Sequence, residues 1–143
     1  MASLLSLQKD FKKIQKAKPS NFTYARTCYN HLAGEIGVKI TNALIAKHII
    51  IPENDVYTVS EFGRTWFLEL GIDIHQLQQL KRSFAHQCLD WSERKHHLAG
   101  ALGDAFLNFM LKEDWFRKQK NSRELILTYK GTQHLNRLLD LNF

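Results

Sequence analysis

The feature that most constrains the fold of this chain is a motif that occurs twice. The pattern His-Leu-Ala-Gly-x-x-Gly at residues 31–37 recurs at residues 97–103. Downstream, the pattern Val-Ser-x-x-Gly at 59–63 is matched by Leu-Thr-x-x-Gly at 127–131. Two copies that extend over several elements indicate a duplicated supersecondary unit. We therefore predict two similar units that pack about a pseudo-two-fold axis.

Hydrophobic periodicity predicts the same order of elements in each unit, namely helix, β-hairpin and helix. Unit one covers about residues 22–71 and begins with a long, broadly apolar helix over 22–48. Unit two covers about residues 90–140 and begins with a helix over 91–112. A capping-box pattern predicts a connecting helix over about 73–84, which joins the two units.

Short polar residues mark where the last helix of each unit begins. Ser60 and Thr128 follow the predicted hairpins, and a Ser or Thr side chain can accept a hydrogen bond from the backbone at a helix start. We predict that both residues are N-caps. Turn-forming residues at 52–55 and 119–122 are expected to close the hairpins that precede them.

The predicted fold class is α+β and mainly α, with two tandem winged-helix-like units of helix–β-hairpin–helix and an N-terminal linker helix. Residues 21–143 form the single duplicated domain, and residues 1–20 form the linker and dimerisation helix. Apolar residues spaced by three and four lie on one face of this linker helix, which is too short to be stable alone and needs a partner. We therefore predict a homodimer through these residues: Leu4, Leu7, Phe11 and Ile14.

Each of the two long predicted helices contains two glycines, although glycine in a helix costs about 1 kcal/mol relative to alanine. They are Gly34 and Gly37 in unit one and Gly100 and Gly103 in unit two. One explanation is that the two helices cross closely at these positions, where a Cβ atom would clash. The other is that each helix packs separately under a bulky side chain. We favour the mutual crossing.

Composition and motifs exclude several functional classes. The 143 residues are 44% hydrophobic and 24% charged, which is typical of one compact globular domain. No segment has the ~18 apolar residues of a membrane span, and the N-terminus does not resemble a signal peptide, so we expect a cytoplasmic protein. The two cysteines lack a CxxC pattern, which argues against a disulfide scaffold. We find no catalytic motif and predict neither an enzyme nor a bound cofactor.

The net charge of +6 is partly concentrated in the second predicted hairpin. A cluster of basic residues there is a candidate for phosphate contacts with DNA, although a solvated surface explains it equally well. The helix that precedes this hairpin is apolar on almost every side, so we expect it to be buried rather than to read DNA bases. We call the following four residues the basic hairpin: Arg117, Lys118, Lys120 and Arg123.

Two cysteines and two histidines are candidates for a metal or thiol sensor. Cys28 and His31 stand three residues apart, on one face of the predicted helix, and His97 is the repeat equivalent of His31. Cys88 precedes the second copy of the motif and is followed by Asp90, whose carboxylate could add a further ligand. Thiol and imidazole groups together bind zinc or softer ions, and two thiols can also form a redox pair. The alternative is that all four are structural residues of the core.

Two aromatic residues are candidates for a small-molecule pocket. Tyr29 lies next to Cys28, and Trp91 lies among the polar residues Asp90, Ser92 and Glu93. The alternative for Trp91 is an anchoring ring at the start of a helix that the polar residues cap.

Three stretches together resemble the arsenical-resistance-repressor (ArsR) family of bacterial transcription regulators: residues 25–34, residues 88–100, and the Leu-Thr-x-x-Gly pattern at 127–131. The match is similar to the C-terminal half of one branch of that family and covers about residues 22–140. This resemblance implies the effector-sensing and self-association domain of a winged-helix regulator, with DNA bound through an upstream or missing helix-turn-helix domain. It also implies a small-molecule or metal effector. The alternatives are a mostly non-specific DNA-binding module and a Cys/His metal or thiol sensor.

Overall fold

The computed structural model describes residues 21–143, so the predicted linker helix over 1–20 and its apolar face lie outside the described residues. The described part contains six helices and eight strands. Unit one, preceded by a short helix, has the order hairpin, helix, hairpin, helix. Its elements are α1 (Asn21–Tyr24), β1 (Arg26–Cys28), β2 (His31–Ala33), α2 (Gly34–Ala46), β3 (Ile50–Glu53), β4 (Val56–Val59) and α3 (Glu61–Glu69).

Unit two repeats this order after a short connecting helix. Its elements are α4 (Ile74–Gln78), β5 (His86–Leu89), β6 (His96–Ala99), α5 (Gly100–Lys112), β7 (Phe116–Lys118), β8 (Leu125–Leu127) and α6 (Tyr129–Leu139). Within residues 21–143, no helix is long and apolar enough to cross a membrane.

The prediction of a mainly α fold is wrong, because eight strands form three small antiparallel sheets. Each unit is hairpin–helix–hairpin–helix rather than helix–hairpin–helix. The predicted helix over 22–48 is interrupted by β1 and β2, where Tyr29 has φ 56°, which an α-helix does not allow. The predicted helix over 91–112 begins only at Gly100, after strand β6. Strands of three or four residues are too short to give a recognisable period, so hydrophobic periodicity alone does not separate their apolar residues from the helices that follow.

The connecting segment is also less helical than expected. The predicted helix over 73–84 is limited to α4, whose N-cap Asp73 accepts a hydrogen bond from the Gln76 N–H. The predicted N-caps of α3 and α6 are confirmed. The Ser60 side chain accepts a hydrogen bond from the Gly63 N–H, and the Thr128 side chain accepts one from the Gly131 N–H, each at 2.9 Å.

The two units exchange equivalent strand contacts. Strand β4 of unit one pairs with β5 of unit two, and the Tyr57 N–H donates to the Ala85 carbonyl at 3.2 Å. In the reciprocal contact, the Leu125 N–H at the start of β8 donates to the Ala25 carbonyl next to β1 at 3.0 Å. The second hairpin of each unit therefore extends the first hairpin of the other, so that the two copies form one interlocked body.

The helices are exchanged in the same way, because α2 packs on β6 and α5 packs on β2. The Leu98 N–H of β6, for example, donates to Thr41 Oγ1 of α2 at 2.9 Å. Strands β2 and β6 consequently lie next to each other at the centre of the molecule. The prediction that the helix before the basic hairpin is buried is confirmed, because most of α5, including Leu102 and Phe106, is buried.

The expected mutual crossing of two helices at their glycines is wrong. Gly34 and Gly100 are the first residues of α2 and α5, and their φ angles of 86° and 84° lie in the left-handed region. A Cβ atom on Gly34 would lie 2.7 Å from the Thr23 carbonyl oxygen, and one on Gly100 would lie 2.8 Å from that of Phe84. Glycine is therefore required where the chain turns from strand to helix beneath the preceding segment.

Candidate metal centre

The first hairpin of each unit places one cysteine opposite one histidine. Cys28 on β1 is the cross-strand partner of His31 on β2, and Cys88 on β5 is the partner of His97 on β6. Directly opposed residues of antiparallel strands have Cβ atoms roughly 4.5–5.5 Å apart and project from the same face. Because β2 and β6 are neighbours, the two pairs meet at the centre of the molecule.

The four side chains form one compact cluster, which we call the Cys–His cluster. One potential ligand atom from each of Cys28, His31, Cys88 and His97 lies within 4.8 Å of the others. The closest contact joins Nε2 of His31 to Nε2 of His97, at 2.9 Å. Both imidazoles are buried, and both thiols are half-buried. Four of the sequence-predicted site residues are thus brought together, although on hairpins rather than on helices.

Helix α5 packs closely against His31, because it has a glycine, Gly103, at the point of contact. A Cβ atom on Gly103 would lie 2.7 Å from the Leu98 carbonyl oxygen and 3.2 Å from Cβ of His31, so a larger residue would crowd both strands that carry the imidazoles. On the same helix, Asp104 directs Oδ1 towards Nδ1 of His31 at 3.8 Å and receives a hydrogen bond from Arg82 at 2.7 Å.

Asp90 connects the cluster to both units. Its buried carboxylate accepts hydrogen bonds from Nδ1 of His97 at 3.0 Å, from Nη2 of Arg26 at 2.9 Å and from the Gly34 N–H at 2.7 Å. Asp90 begins the loop between β5 and β6, which is longer than the corresponding two-residue turn of unit one. The sequence suggested that Asp90 caps a helix or adds a carboxylate to the metal-binding candidates, whereas in the structure its carboxylate links His97 to the start of α2.

The environment keeps the two imidazoles neutral at neutral pH. Burial, followed by the neighbouring His97, lowers the pKa of His31 to about 4. Burial also lowers the pKa of His97, although Asp90 acts in the opposite direction. When Nδ1–H of neutral His97 donates a hydrogen bond to the Asp90 carboxylate, Nε2 of His97 accepts a hydrogen bond from Nε2–H of His31.

Asp90 remains ionised despite its burial. Burial alone would raise the pKa of this carboxyl, but hydrogen bonds from Ser92 and from the Gly34 N–H, together with the Arg26 charge, hold it well below its usual range. Burial, followed by the charge of Cys28, raises the pKa of the Cys88 thiol to about 11. A raised thiol pKa disfavours the thiolate form at neutral pH.

The basic hairpin lies on the surface beside strand β1, which carries Cys28, because the Thr27 N–H donates to the Arg123 carbonyl at 2.8 Å. Arg117 forms two hydrogen bonds with the Asp114 carboxylate, at 2.7 and 2.8 Å. The Arg123 guanidinium lies 5.3 Å from the centre of the Phe22 ring. Within residues 21–143, neither Lys118 nor Lys120 forms an ion pair, so their charges are available to a polyanion.

The two pocket candidates occupy different surroundings. Tyr29 is 88% exposed and borders a cleft of about 130 Å³ together with Lys118 and Arg123. Trp91 is 61% exposed and covers the Arg26 guanidinium, which lies 4.2 Å from its ring centre. Trp91 lies in the β5–β6 loop, so the alternative that it anchors a helix start is wrong.

Sequence reasoning missed Arg26 and Asp104. Arg26 is only 1% exposed, and its partner Asp90 is distant in the sequence, so no local pattern indicated the pair. A signal for Asp104 did exist: it is an acidic residue in the most apolar part of a helix, and a buried residue of this kind requires a polar partner.

Comparison with known proteins finds one similar regulator. The chain is 39% identical over 132 residues to the uncharacterized HTH-type transcriptional regulator YdfF of Bacillus subtilis (strain 168). The match covers 90% of this chain but only 58% of the length of that relative. No family model matches the chain, and no solved structure matches it.

Proposed function

We propose that this chain is the effector-sensing and self-association half of an ArsR-type transcription regulator with a helix-turn-helix DNA-binding domain. The similarity to a relative named an HTH-type transcriptional regulator supports a role in transcription regulation. Because the chain spans only 58% of that relative, we assign DNA reading to a part of the regulator that this chain does not cover.

The observation that carries the proposal is the buried polar centre shared by the two units. Unit one supplies Arg26 and His31, unit two supplies Asp90 and His97, and all four residues are at most 4% exposed. Buried charges are costly unless they are paired, so the fit of one unit against the other depends on this network. An effector that binds at the network can therefore change the relative stability of two arrangements of the units.

Helix α5 supports the assignment of DNA reading elsewhere. A recognition helix must present polar side chains to base edges in the major groove. The residues of α5 that precede the basic hairpin are instead buried in the core, among them Ala101, Leu102, Phe106 and Met110. The exposed Lys118 and Lys120 favour a second candidate function, which is weak phosphate contact with DNA that positions the regulator without reading sequence.

A fusion experiment tests the proposed self-association. The chain is joined to a DNA-binding domain that recognises its operator only as a dimer, and repression of a reporter gene is measured. We expect the fusion to repress the reporter, because each chain brings one DNA-binding domain to the two-fold operator. Leu7→Asp should abolish repression, because it places a charge among the apolar residues that the sequence predicts to form the dimer contact.

The matched control is Lys9→Asp, which also changes a residue of this segment but lies outside the apolar set. It should leave repression intact. A fusion that represses no better than the DNA-binding domain alone would contradict self-association through this chain, provided that immunoblots show equal amounts of both proteins.

A further inference from the structure

We propose that the Cys–His cluster is a zinc site in which each unit supplies two ligands. The four ligands are Sγ of Cys28 and Cys88 and Nε2 of His31 and His97. Two thiolates and two imidazoles form the donor set that Zn²⁺ prefers in structural sites. The binding of the ion follows from these four side chains and does not depend on the regulatory role proposed above.

The spacing of the cluster suits a tetrahedral ion. Zn–N bonds of about 2.0–2.1 Å and Zn–S bonds of about 2.3 Å place neighbouring ligand atoms roughly 3.3–3.8 Å apart. The four ligand atoms already lie within 4.8 Å of one another, and the shortest separation, between the two Nε2 atoms, is 2.9 Å. Small rotations of the side chains therefore convert the metal-free cluster to a tetrahedron without a change in the hairpins.

Carboxylates behind both imidazoles orient them for metal binding. A histidine that binds zinc through one ring nitrogen usually donates its other N–H to a carboxylate or carbonyl, which fixes the tautomer. His97 makes this contact, because its Nδ1 lies 3.0 Å from Oδ2 of Asp90. Nδ1 of His31 faces Oδ1 of Asp104 at 3.8 Å, so both Nε2 atoms point into the cluster.

Charge and protons balance when the ion binds. The two thiols release one proton each to solvent, and the resulting thiolates neutralise Zn²⁺. His31 loses its proton from Nε2 and carries one on Nδ1 instead, where it can donate to Asp104. The two carboxylates behind the imidazoles keep their own cationic partners, since Asp90 pairs with Arg26 at 2.9 Å and Asp104 with Arg82 at 2.7 Å. The bound centre is therefore neutral and its surroundings are paired.

The site joins segments that no single unit could bring together. Each unit contributes one Cys–His pair from its first hairpin, and the two hairpins meet only through the exchange of helices and strands described above. We therefore expect the ion to cross-link the two units, and zinc should raise the midpoint of thermal unfolding.

Titration with Co²⁺ alone tests the site, because cobalt replaces zinc and absorbs in the visible range when its coordination is tetrahedral. The 143-residue chain is treated with chelator, kept reduced and titrated without oxygen. We expect one Co²⁺ per chain, thiolate-to-cobalt charge-transfer bands, and displacement of cobalt by one equivalent of Zn²⁺. The chain contains only two cysteines, so the intensity of these bands reports directly on both thiols.

Variants identify the ligands. Cys88→Ser and His97→Gln should each weaken cobalt binding at least 100-fold, and Cys88→Ser should also reduce the charge-transfer intensity. The matched control is His96→Gln, because His96 is the exposed neighbour of His97 on the same strand. This control should bind cobalt like the original protein, and circular dichroism should show that every variant compared is folded.

A second measurement needs no variant. The rate at which both cysteines react with a thiol reagent should fall when zinc is added to the reduced chain. A folded, reduced chain that binds no cobalt would overturn the proposal, as would cobalt binding that Cys88→Ser and His96→Gln leave equally unchanged. Isolation of a Cys28–Cys88 disulfide in a chain that takes up no metal after reduction would show that the cluster is a thiol pair instead.

Discussion

Removal of the Asp90 carboxylate should reveal how strongly the two units depend on their buried ion pair. The carboxylate and the Arg26 guanidinium are 0% and 1% exposed, and they meet at 2.9 Å. In Asp90→Ala, Arg26 would remain charged, because an arginine does not lose its proton inside a protein. The Gly34 N–H and Nδ1 of His97 would lose their acceptor as well.

The size of the effect follows from the unpaired charge. Removing one partner of a buried ion pair costs about 3–5 kcal/mol, a large part of the 5–15 kcal/mol that typically stabilises a domain. The midpoint of thermal unfolding should fall by about 10–20 °C for a chain of this length. Urea unfolding followed by circular dichroism measures the change in the free energy of unfolding, with a chelator present so that bound metal does not contribute.

A double variant separates the ion pair from simple loss of packing. In Asp90→Ala combined with Arg26→Met, no buried charge is left alone, so the double variant should be more stable than the sum of the single effects by about 2 kcal/mol. The matched control is Asp114→Ala, which removes a carboxylate paired with Arg117 on the surface and should change the free energy of unfolding little. Single effects that add within about 0.5 kcal/mol would refute the argument, because they would show that Asp90 and Arg26 are not coupled.

Three further predictions concern the strand-to-helix turn, the N-terminal segment and the surface charge. Gly100→Ala should destabilise the protein more than Gly71→Ala in the same urea assay, because both glycines have φ 84° but only at Gly100 would a Cβ atom meet a carbonyl oxygen; equal losses would contradict this explanation. Sedimentation at micromolar concentration should show two chains, and Leu7→Asp should yield one; an unchanged monomer would exclude the predicted homodimer. The chain should bind duplex DNA without sequence preference, with a Kd on the order of 10⁻⁴–10⁻⁶ M that weakens steeply with salt. Replacing all four residues of the basic hairpin with glutamate should abolish this binding without unfolding the chain. Nanomolar, sequence-selective binding that survives these four substitutions would contradict the prediction.

Local sequence determined those parts of the fold whose hydrogen bonds are local. Ser60 and Thr128 were recognisable as N-caps because each side chain bonds to a backbone N–H only three residues away. The duplication is visible in the sequence because equivalent residues cap helices or form strand-to-helix turns in both units. Residue type alone also singled out the cysteines and histidines of the Cys–His cluster, although periodicity predicts helices at Cys28, His31 and His97, where the structure has strands.

Only the tertiary structure decided which distant segments meet. The first hairpin of each unit consists of strands of three or four residues, and it is extended by hydrogen bonds from the other unit, such as Leu125 N–H to the Ala25 carbonyl. The pairing of Arg26 with Asp90 likewise joins residues far apart in the chain, and their burial follows from how the units interlock. A helix cap is specified within one turn, whereas a short strand and a buried charge are stable only when a distant partner is present. The sequence therefore revealed the repeat and the types of side chain, and the packing of one unit on the other brought those side chains into a single centre.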